Sequence, residues 1–364
     1  MKKPHQHFIP QTYLRKFAHT KDDKNYFVAV YDKQAGKYIS DINVSKICAE
    51  SDFYTLKHLE GDEQYSIENF FADNIENRYN EIYSLLVEKR KQIITPEEKT
   101  FILYNTLSMY FRTPKVLNQF VEFTGQLLLD VQQNTNEKTI DFLGYKISLE
   151  EKSFKDIKKE IRETNRVNYI STQLALLDEF VKYKFLDGLV VIELVGEQEF
   201  ITSDNPVEIR NSTENGFNLF SNSNVIYIPL DPKHALFIAP KNNGSIVNEI
   251  FYQKDNFVQH ITSNYVSYEN AERWIIGTKK GVEQSLLDYK NYTEAVEDNH
   301  PLLLKFRIKL ELMQEILNFA EKGVTNSNSE LIESLKALKS HEYFEESADL
   351  VEMYNKFKSA GLNL

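Results

Sequence analysis

The spacing of the apolar residues changes at Gly188, and this change limits the fold more than any other feature of the chain. Across residues 66–91 the apolar residues recur at helical spacing, and residues 115–187 favour two or three further helices. From residue 189 the chain becomes rich in β-branched residues, which favour strands. We therefore predict an α+β fold that is mainly helical, with one mainly antiparallel sheet of hairpins packed against helices.

Turn residues divide the strand-like runs into candidate hairpins. Three pairs of runs flank such turns: 26–32 with 37–40, 189–195 with 200–203, and 225–230 with 235–239. Residues 274–277 form a further candidate strand.

The distribution of these elements predicts the domain organisation. We expect an α+β core over residues 1–295, with its helical part at about 66–187 and its sheet part at about 188–277. A charged helical extension follows over residues 296–364.

A capping box marks the start of one helix. Thr95 is placed to accept a hydrogen bond from the first turn, Glu98 to return one, and Pro96 suits the first helical position. Pro114 lacks a backbone donor and ends the helix near Arg112. A helical projection places Arg112 on the apolar face, so we expect an inward guanidinium beside a helix break.

The same projection, applied to residues 66–91, places Glu68 and Arg78 in the apolar arc and Glu76 outside it. A carboxylate on an apolar face needs a cation, a donor or a metal to offset its lost hydration. Glu68 is therefore a candidate general base or metal ligand. The structural alternative is an interhelical ion pair with Arg112 or Arg78.

Charge and cysteine content exclude several classes of protein. The 43 Lys and Arg residues against 54 Asp and Glu residues give a net charge of −11, which disfavours nucleic-acid binding through a general basic surface. The single cysteine, Cys48, excludes an intrachain disulfide and a multi-cysteine zinc site. No signal peptide pattern is present, and no uncharged apolar run approaches the roughly 18 residues of a membrane span. We expect a cytoplasmic protein without a membrane segment.

The N-terminal block contains three candidate site residues. His7 can act as a base or a metal ligand near neutral pH, and Tyr13 and Arg15 can bind or polarise an oxygen of a ligand. The alternative is a structural histidine or a flexible N-terminus.

Two further candidates lie next to prolines. Arg112 suits a carboxylate or phosphate because its planar guanidinium binds two oxygens, although a structural clamp would use the same geometry. Asp204 and Asn205 follow a predicted strand, and a strand end can hold a catalytic carboxylate rigidly. The Asp-Asn-Pro sequence is also ordinary turn chemistry.

Taken in order, these pieces resemble the bacterial family called domain of unknown function 4238. The family's opening pattern, His-Phe-x-Pro-x-x-Tyr-Leu-x-x-Phe, is matched by His7, Phe8, Pro10, Tyr13, Leu14 and Phe17. The later matches are Asp52-Phe53-Tyr54, Glu68, Arg112-Thr113-Pro114, Ser203-Asp204-Asn205-Pro206 and Ile228-Pro229-Leu230. The resemblance covers about residues 5–280 and implies that His7, Glu68, Arg112 and Asp204 belong to one recurring set that converges on a site.

Two functions are consistent with such a set, and the chain contains none of the common phosphate-loop, dinucleotide, zinc-protease or serine-hydrolase motifs. The first is a hydrolase of phosphoester or nucleic-acid-type substrates, for example a bacterial defence or toxin effector. His7 would be a base or ligand, Glu68 and Asp204 would act as bases or hold Mg²⁺ or Mn²⁺, and Arg112 would stabilise developing charge.

The second function is a non-catalytic ligand-sensing or protein-interaction module. It would bind a small anionic or polar ligand and signal through its C-terminal helices, with residues 300–364 mediating homo-oligomerisation or binding a protein partner.

Overall fold

The structure, a computed structural model, describes residues 5–56, 60–134, 139–142, 145–148, 153–164, 166–210, 219–240, 248–255 and 258–297, with scattered positions from 332 to 358. The chain divides into two compact units, Met1–Leu286 and Leu287–Leu364.

Helices dominate the middle of the chain, as the apolar spacing predicted. They are α1 (Gln11–Leu14), α2 (Ser66–Asn74), α3 (Tyr79–Tyr83), α4 (Pro96–Phe111), α5 (Pro114–Asn134), α6 (Phe154–Thr164), α7 (Arg166–Lys184), α8 (Val258–Asn270) and α9 (Lys279–Glu297). The predicted capping box at the start of α4 is confirmed, since Thr95 and Glu98 exchange side-chain to backbone hydrogen bonds.

The strands are β1 (His5–His7), β2 (Thr20–Asp22), β3 (Asn25–Asp32), β4 (Lys37–Asn43), β5 (Ala49–Ser51), β6 (Thr139–Phe142), β7 (Tyr145–Ser148), β8 (Gly188–Leu194), β9 (Thr202–Ser203), β10 (Glu208–Arg210), β11 (Val225–Pro229), β12 (His234–Ala239), β13 (Ile250–Asp255) and β14 (Trp274–Gly277). Together with the helices they confirm the α+β class.

The described strands form two five-stranded sheets, not the single sheet expected. One has the order β10-β11-β12-β8-β13, and the other has the order β2-β3-β14-β9 with β4 paired to β3. Two further pairs, β1 with β5 and β6 with β7, stand alone. The N-terminal strands β2, β3 and β4 therefore share a sheet with β9 and β14, which lie more than 150 residues later in the chain.

Two of the three predicted hairpins are confirmed, β3 with β4 and β11 with β12. The hairpin predicted between residues 189–195 and 200–203 is wrong. Strand β8 pairs with β12 on one side and with β13 in parallel on the other, so neither of its edges is open to β9. Strand β9 instead pairs with β14 in the second sheet.

The helix predicted over residues 66–91 is interrupted. Helix α2 ends at Asn74, a 3₁₀ turn covers Glu76–Arg78, α3 follows, and a π-helical turn covers Ser84–Glu88. A 3₁₀ turn advances about 120° per residue, whereas an α-helix advances about 100°, so the face assigned by an uninterrupted projection is lost beyond the break.

One hydrophobic core joins the N-terminal block, both five-stranded sheets and helices α4 and α7. Tyr13, Phe17, Leu103 and Phe180 are each fully buried within it. The rings of Phe111 and Phe180 meet edge to face at 6.1 Å, an arrangement that adds about 0.5–1.5 kcal/mol to the burial of the rings. This core holds α4 against α7 and fixes the C-terminal end of α4, where Arg112 lies.

The helical extension predicted over residues 296–364 lies mostly outside the described residues. The positions described there are helical, and Lys339 lies over the ring of the buried Tyr354.

Candidate functional site

The opening block attaches the N-terminus to both sheets. The hydroxyl of Tyr13 lies 2.6 Å from Thr202 Oγ1 and donates to the carbonyl of Pro229 at 2.8 Å. Tyr13 is fully buried, and burial raises the pKa of its hydroxyl well above the ordinary value. Arg15 is exposed, with its guanidinium 5.1 Å from the ring centre of Tyr26. Tyr13 therefore anchors strand ends, while Arg15 lies at the surface.

Arg112 is the centre of a buried polar network at the end of α4. Its Nε donates to the hydroxyl of Tyr54 at 3.1 Å, and one terminal nitrogen donates to the carbonyl of His7 at 3.0 Å and to Glu76 at 2.5 Å. The guanidinium carbon lies 4.1 Å from the ring centre of Phe71. Only 4% of Arg112 is exposed, so the inward orientation predicted for it is confirmed.

Glu76, not Glu68, is the carboxylate that pairs with Arg112. The 3₁₀ turn brings Glu76 inward, leaving its side chain 24% exposed, and turns Arg78 outward, with its side chain 50% exposed beside Glu81. The prediction that Arg78 faces inward and Glu76 outward is therefore wrong, because the helix was taken as continuous.

Glu68 joins the same network through a glutamine. Gln6 is fully buried; its amide donates to Glu68 at 2.7 Å, and its carbonyl accepts from the backbone of Tyr54 at 2.6 Å. Since Tyr54 also accepts from Arg112, the chain of contacts runs from Glu68 to Arg112.

His7 lies beside this network on β1. Its Nδ1 is 3.5 Å from the amide of Gln11, and its Nε2 is buried without a hydrogen-bond partner among the described residues. Burial lowers the pKa of His7, although the nearby Glu76 opposes this, so the ring favours its neutral form at neutral pH.

Asp204 organises the turn that precedes β14. Its two oxygens accept from the backbone amides of Glu272, Arg273 and Trp274 at 3.0, 2.8 and 3.2 Å. Burial raises the pKa of Asp204 to about 6 against the opposing effect of these amides. No hydrogen bond joins Asp204 to Arg112 or His7 among the described residues, so the contacts of the four predicted catalytic residues fall into two groups.

The Arg-Thr-Pro and Ser-Asp-Asn-Pro sequences meet at one cavity of about 420 Å³, named here the Thr113 cavity. Thr113 lies between α4 and α5, and Asn205 exchanges hydrogen bonds with Asn270 at the end of α8. The cavity is lined by Met109, Tyr110, Thr113, Lys115, Val116, Gln119, Asn205, Val207, Ile209 and Asn270. Of the predicted site residues, Asn205 is the one that lines it.

One family model matches the part of the chain that contains both groups of residues. A family model described as "Protein of unknown function (DUF4238)" matches residues 5–281, which is most of the 364-residue chain. The chain belongs to the DUF4238 family. No curated protein and no solved structure matches it. The DUF4238 match begins in β1 and reaches α9, so it includes both the Arg112 network and the Thr113 cavity.

Lys115, which the sequence patterns did not single out, supplies a positive charge to the Thr113 cavity of this DUF4238 protein. Its ammonium group donates to the backbone carbonyl and to the side-chain carbonyl of Asn270. It makes no ion pair within the part of the chain that the structure describes. Burial lowers the pKa of Lys115, while Glu272, Asp204 and Glu208 raise it from a distance.

One sequence signal could have identified this lysine. Lys115 lies in the first turn of α5, where the helix macrodipole disfavours a cation. A lysine at such a position indicates a partner outside its own helix.

Glu208, one of the carboxylates that raise the pKa of Lys115 from a distance, already has hydrogen-bond donors of its own. It is 3% exposed and accepts from Ser267 at 2.8 Å and from Arg210 at 2.9 Å.

Within the described ranges no group of three His, Cys, Asp or Glu side chains is placed to hold a metal ion. Among the same residues no helix is long and apolar enough to cross a membrane.

Proposed function

We propose that this DUF4238 protein binds a small anionic ligand in the Thr113 cavity. The observation that carries the proposal is the ammonium group of Lys115, which faces neutral oxygens of Asn270 and no carboxylate at ion-pair distance among the described residues. An ammonium has three donors, and the two acceptors on Asn270 leave room for a third. An anionic ligand would both accept that hydrogen bond and balance the charge.

The residues that line the cavity further restrict the class of ligand that it can bind. Its volume of about 420 Å³ lies within the range of about 300–1,000 Å³ typical of small-molecule sites. Met109, Val116, Val207 and Ile209 provide an apolar wall, while Lys115 is the only charged residue among the described residues of the lining. The best fit is an amphipathic molecule with one negative charge and an apolar body.

Ligand binding agrees with the geometry better than the phosphoester hydrolysis expected from His7, Glu68, Arg112 and Asp204. Glu68 accepts from Gln6, and Asp204 accepts from three backbone amides. The contact of Glu68 uses Oε2 alone, whereas both oxygens of Asp204 accept from the backbone, so Asp204 in particular is placed as a structural carboxylate and not as a base or metal ligand. The hydrolase assignment to these four residues remains a prediction.

The test is a binding titration by calorimetry with acetate, butyrate, hexanoate, benzoate, inorganic phosphate and phenyl phosphate. We expect a carboxylate with an apolar body to bind most tightly. Lys115→Met should weaken that binding about 10- to 100-fold, because a hydrogen bond to a charged group contributes about 1.5–3 kcal/mol.

The matched control is Lys33→Met. Lys33 donates to the carbonyls of Tyr268 and Ala271 at the same end of α8, but it does not line the cavity. This variant should bind as the wild type does. Binding of none of the six probes, or equal loss in both lysine variants, would overturn the proposal.

A further inference from the structure

A histidine outside the Thr113 cavity has the hydrogen bonds of a general base. His234 lies at the start of β12, and its Nδ1 is 2.9 and 3.0 Å from the two carboxylate oxygens of Asp231. A carboxylate only accepts, so Nδ1 carries the proton and the lone pair of the neutral ring is on Nε2. That nitrogen makes no hydrogen bond within the described part of the chain, and the side chain is 17% exposed.

Asp231 is held rigidly enough to orient this histidine. It is 5% exposed, and its Oδ1 accepts from the backbone amides of Lys233 and His234 at 2.6 and 2.8 Å. Its Oδ2 accepts from the hydroxyl of Tyr83 at 2.6 Å. A buried carboxylate fixed by donors on one side and an imidazole on the other is the arrangement that sets the ring tautomer in histidine-dependent hydrolases.

A lysine with no ion-pair partner among the described residues lies over the ring of Tyr83, whose hydroxyl donates to Asp231. Lys16 Nζ is 3.7 Å from the ring centre of Tyr83 and makes no salt bridge among the described residues. Glu88 and Asp231 interact with it electrostatically from a distance. The chain directly after Tyr83 forms the π-helical turn Ser84–Glu88, a local distortion that occurs frequently at functional sites.

We propose that His234, oriented by Asp231, is the general base of a second site at which water hydrolyses a phosphodiester whose negative charge is bound by Lys16. One unpaired ammonium matches the single charge of a phosphodiester. No residue of this site lines the Thr113 cavity, so the activity is independent of the ligand proposed there.

The reaction conserves atoms and charge. His234 Nε2 takes a proton from water as the water oxygen attacks phosphorus, and the bond from phosphorus to the leaving oxygen breaks. The products are a phosphomonoester and an alcohol, which regains the proton from the imidazolium; a phenolate leaving group departs as the anion and the proton passes to solvent. Asp231 acts as a positioning residue and stabilises the imidazolium.

The experiment measures release of p-nitrophenolate from bis(p-nitrophenyl) phosphate by the full-length protein in the presence of EDTA. We expect His234→Gln to lower kcat at least about 100-fold, the usual minimum for losing a general base. The matched control is His19→Gln, since His19 also contacts an aspartate, with Nε2 2.9 Å from Asp41, and this variant should retain full activity.

Two further variants separate catalysis from a structural role. Lys16→Met, which leaves the pair of Asp231 and His234 in place, should raise KM more than it lowers kcat. Asp231→Asn should lower kcat with little change in KM, because an amide no longer holds the ring of His234 with its proton on Nδ1.

Absence of hydrolysis by the wild type, or equal activity in His234→Gln and His19→Gln, would overturn the proposal. If His234→Gln does not fold, the KM of Lys16→Met becomes the test, and an unchanged KM in that variant would overturn the proposal.

Discussion

Replacing Arg112 with methionine should destabilise the protein strongly, and the size of the loss tests whether the Arg112 network is structural. Methionine retains an apolar side chain against Phe71 but removes the donors to Tyr54, to the carbonyl of His7 and to Glu76. Breaking a buried ion pair costs about 3–5 kcal/mol. Because Glu76 is 24% exposed and can regain hydration, we expect about 3 kcal/mol.

Thermal unfolding measures this loss. A destabilisation of about 3 kcal/mol corresponds to a fall in melting temperature of roughly 6–12 °C for a large domain. Glu76→Gln and the double variant complete a cycle, and we expect a coupling energy of at least about 1 kcal/mol between the two residues. The control is Arg78→Met in the same segment. Its exposed contacts with Glu81 and Phe101 should be worth about 1 kcal/mol or less.

The structural interpretation of the network would be refuted if Arg112→Met and Arg78→Met had the same melting temperature and the cycle showed no coupling energy between Arg112 and Glu76. A charge that can be removed from the core at so little cost would indicate a site held ready for a ligand.

Two other predictions concern the strand ends. Asp204 has a pKa of about 6 in the folded protein against an ordinary value of 3.8, so folding favours its protonated form and wild-type stability should fall as pH rises through this interval. Between pH 4 and 7, melts should show wild-type stability falling by on the order of 2–3 kcal/mol relative to Asp204→Asn. Parallel pH dependences of stability in the two proteins would contradict the raised pKa of Asp204. Tyr13→Phe should cost about 1–3 kcal/mol in urea unfolding, because Thr202 and the carbonyl of Pro229 lose a buried partner, and an unchanged midpoint would show that they do not need it.

Local patterns predicted the elements whose causes are local. The capping box of Thr95 and Glu98, the stop at Pro114 and the β11–β12 hairpin depend on residues within a few positions of one another, and all three are present. The predictions that failed needed information from elsewhere in the chain. Strand β8 does not pair with β9 because β12 and β13 occupy its edges.

The site residues also divide into those that local patterns predicted and those that depend on contacts with distant parts of the chain. An inward Arg112 followed from helical periodicity, and the order of the motifs indicated the DUF4238 family before the family model confirmed it. The partner of Arg112 did not follow, because one 3₁₀ turn rotates Glu76 into the position that a continuous helix would not give it. Lys115 was missed although its place in the first turn of α5 is a signal, and His234 was missed because it stands in an ordinary turn sequence.

By itself, the sequence determined the fold class, the family, and the helices and hairpins whose backbone hydrogen bonds are made between near neighbours. Tertiary packing decided which partner each charged group meets, since Lys115 reaches Asn270, and Asp231 reaches Tyr83, only after distant segments are folded together. The physical reason is the separation along the chain of the residues that each kind of interaction joins. A periodicity of 2 or 3.6 residues is imposed by the local backbone, whereas a hydrogen bond between side chains requires two segments to be brought within about 3 Å by the packing of the whole core.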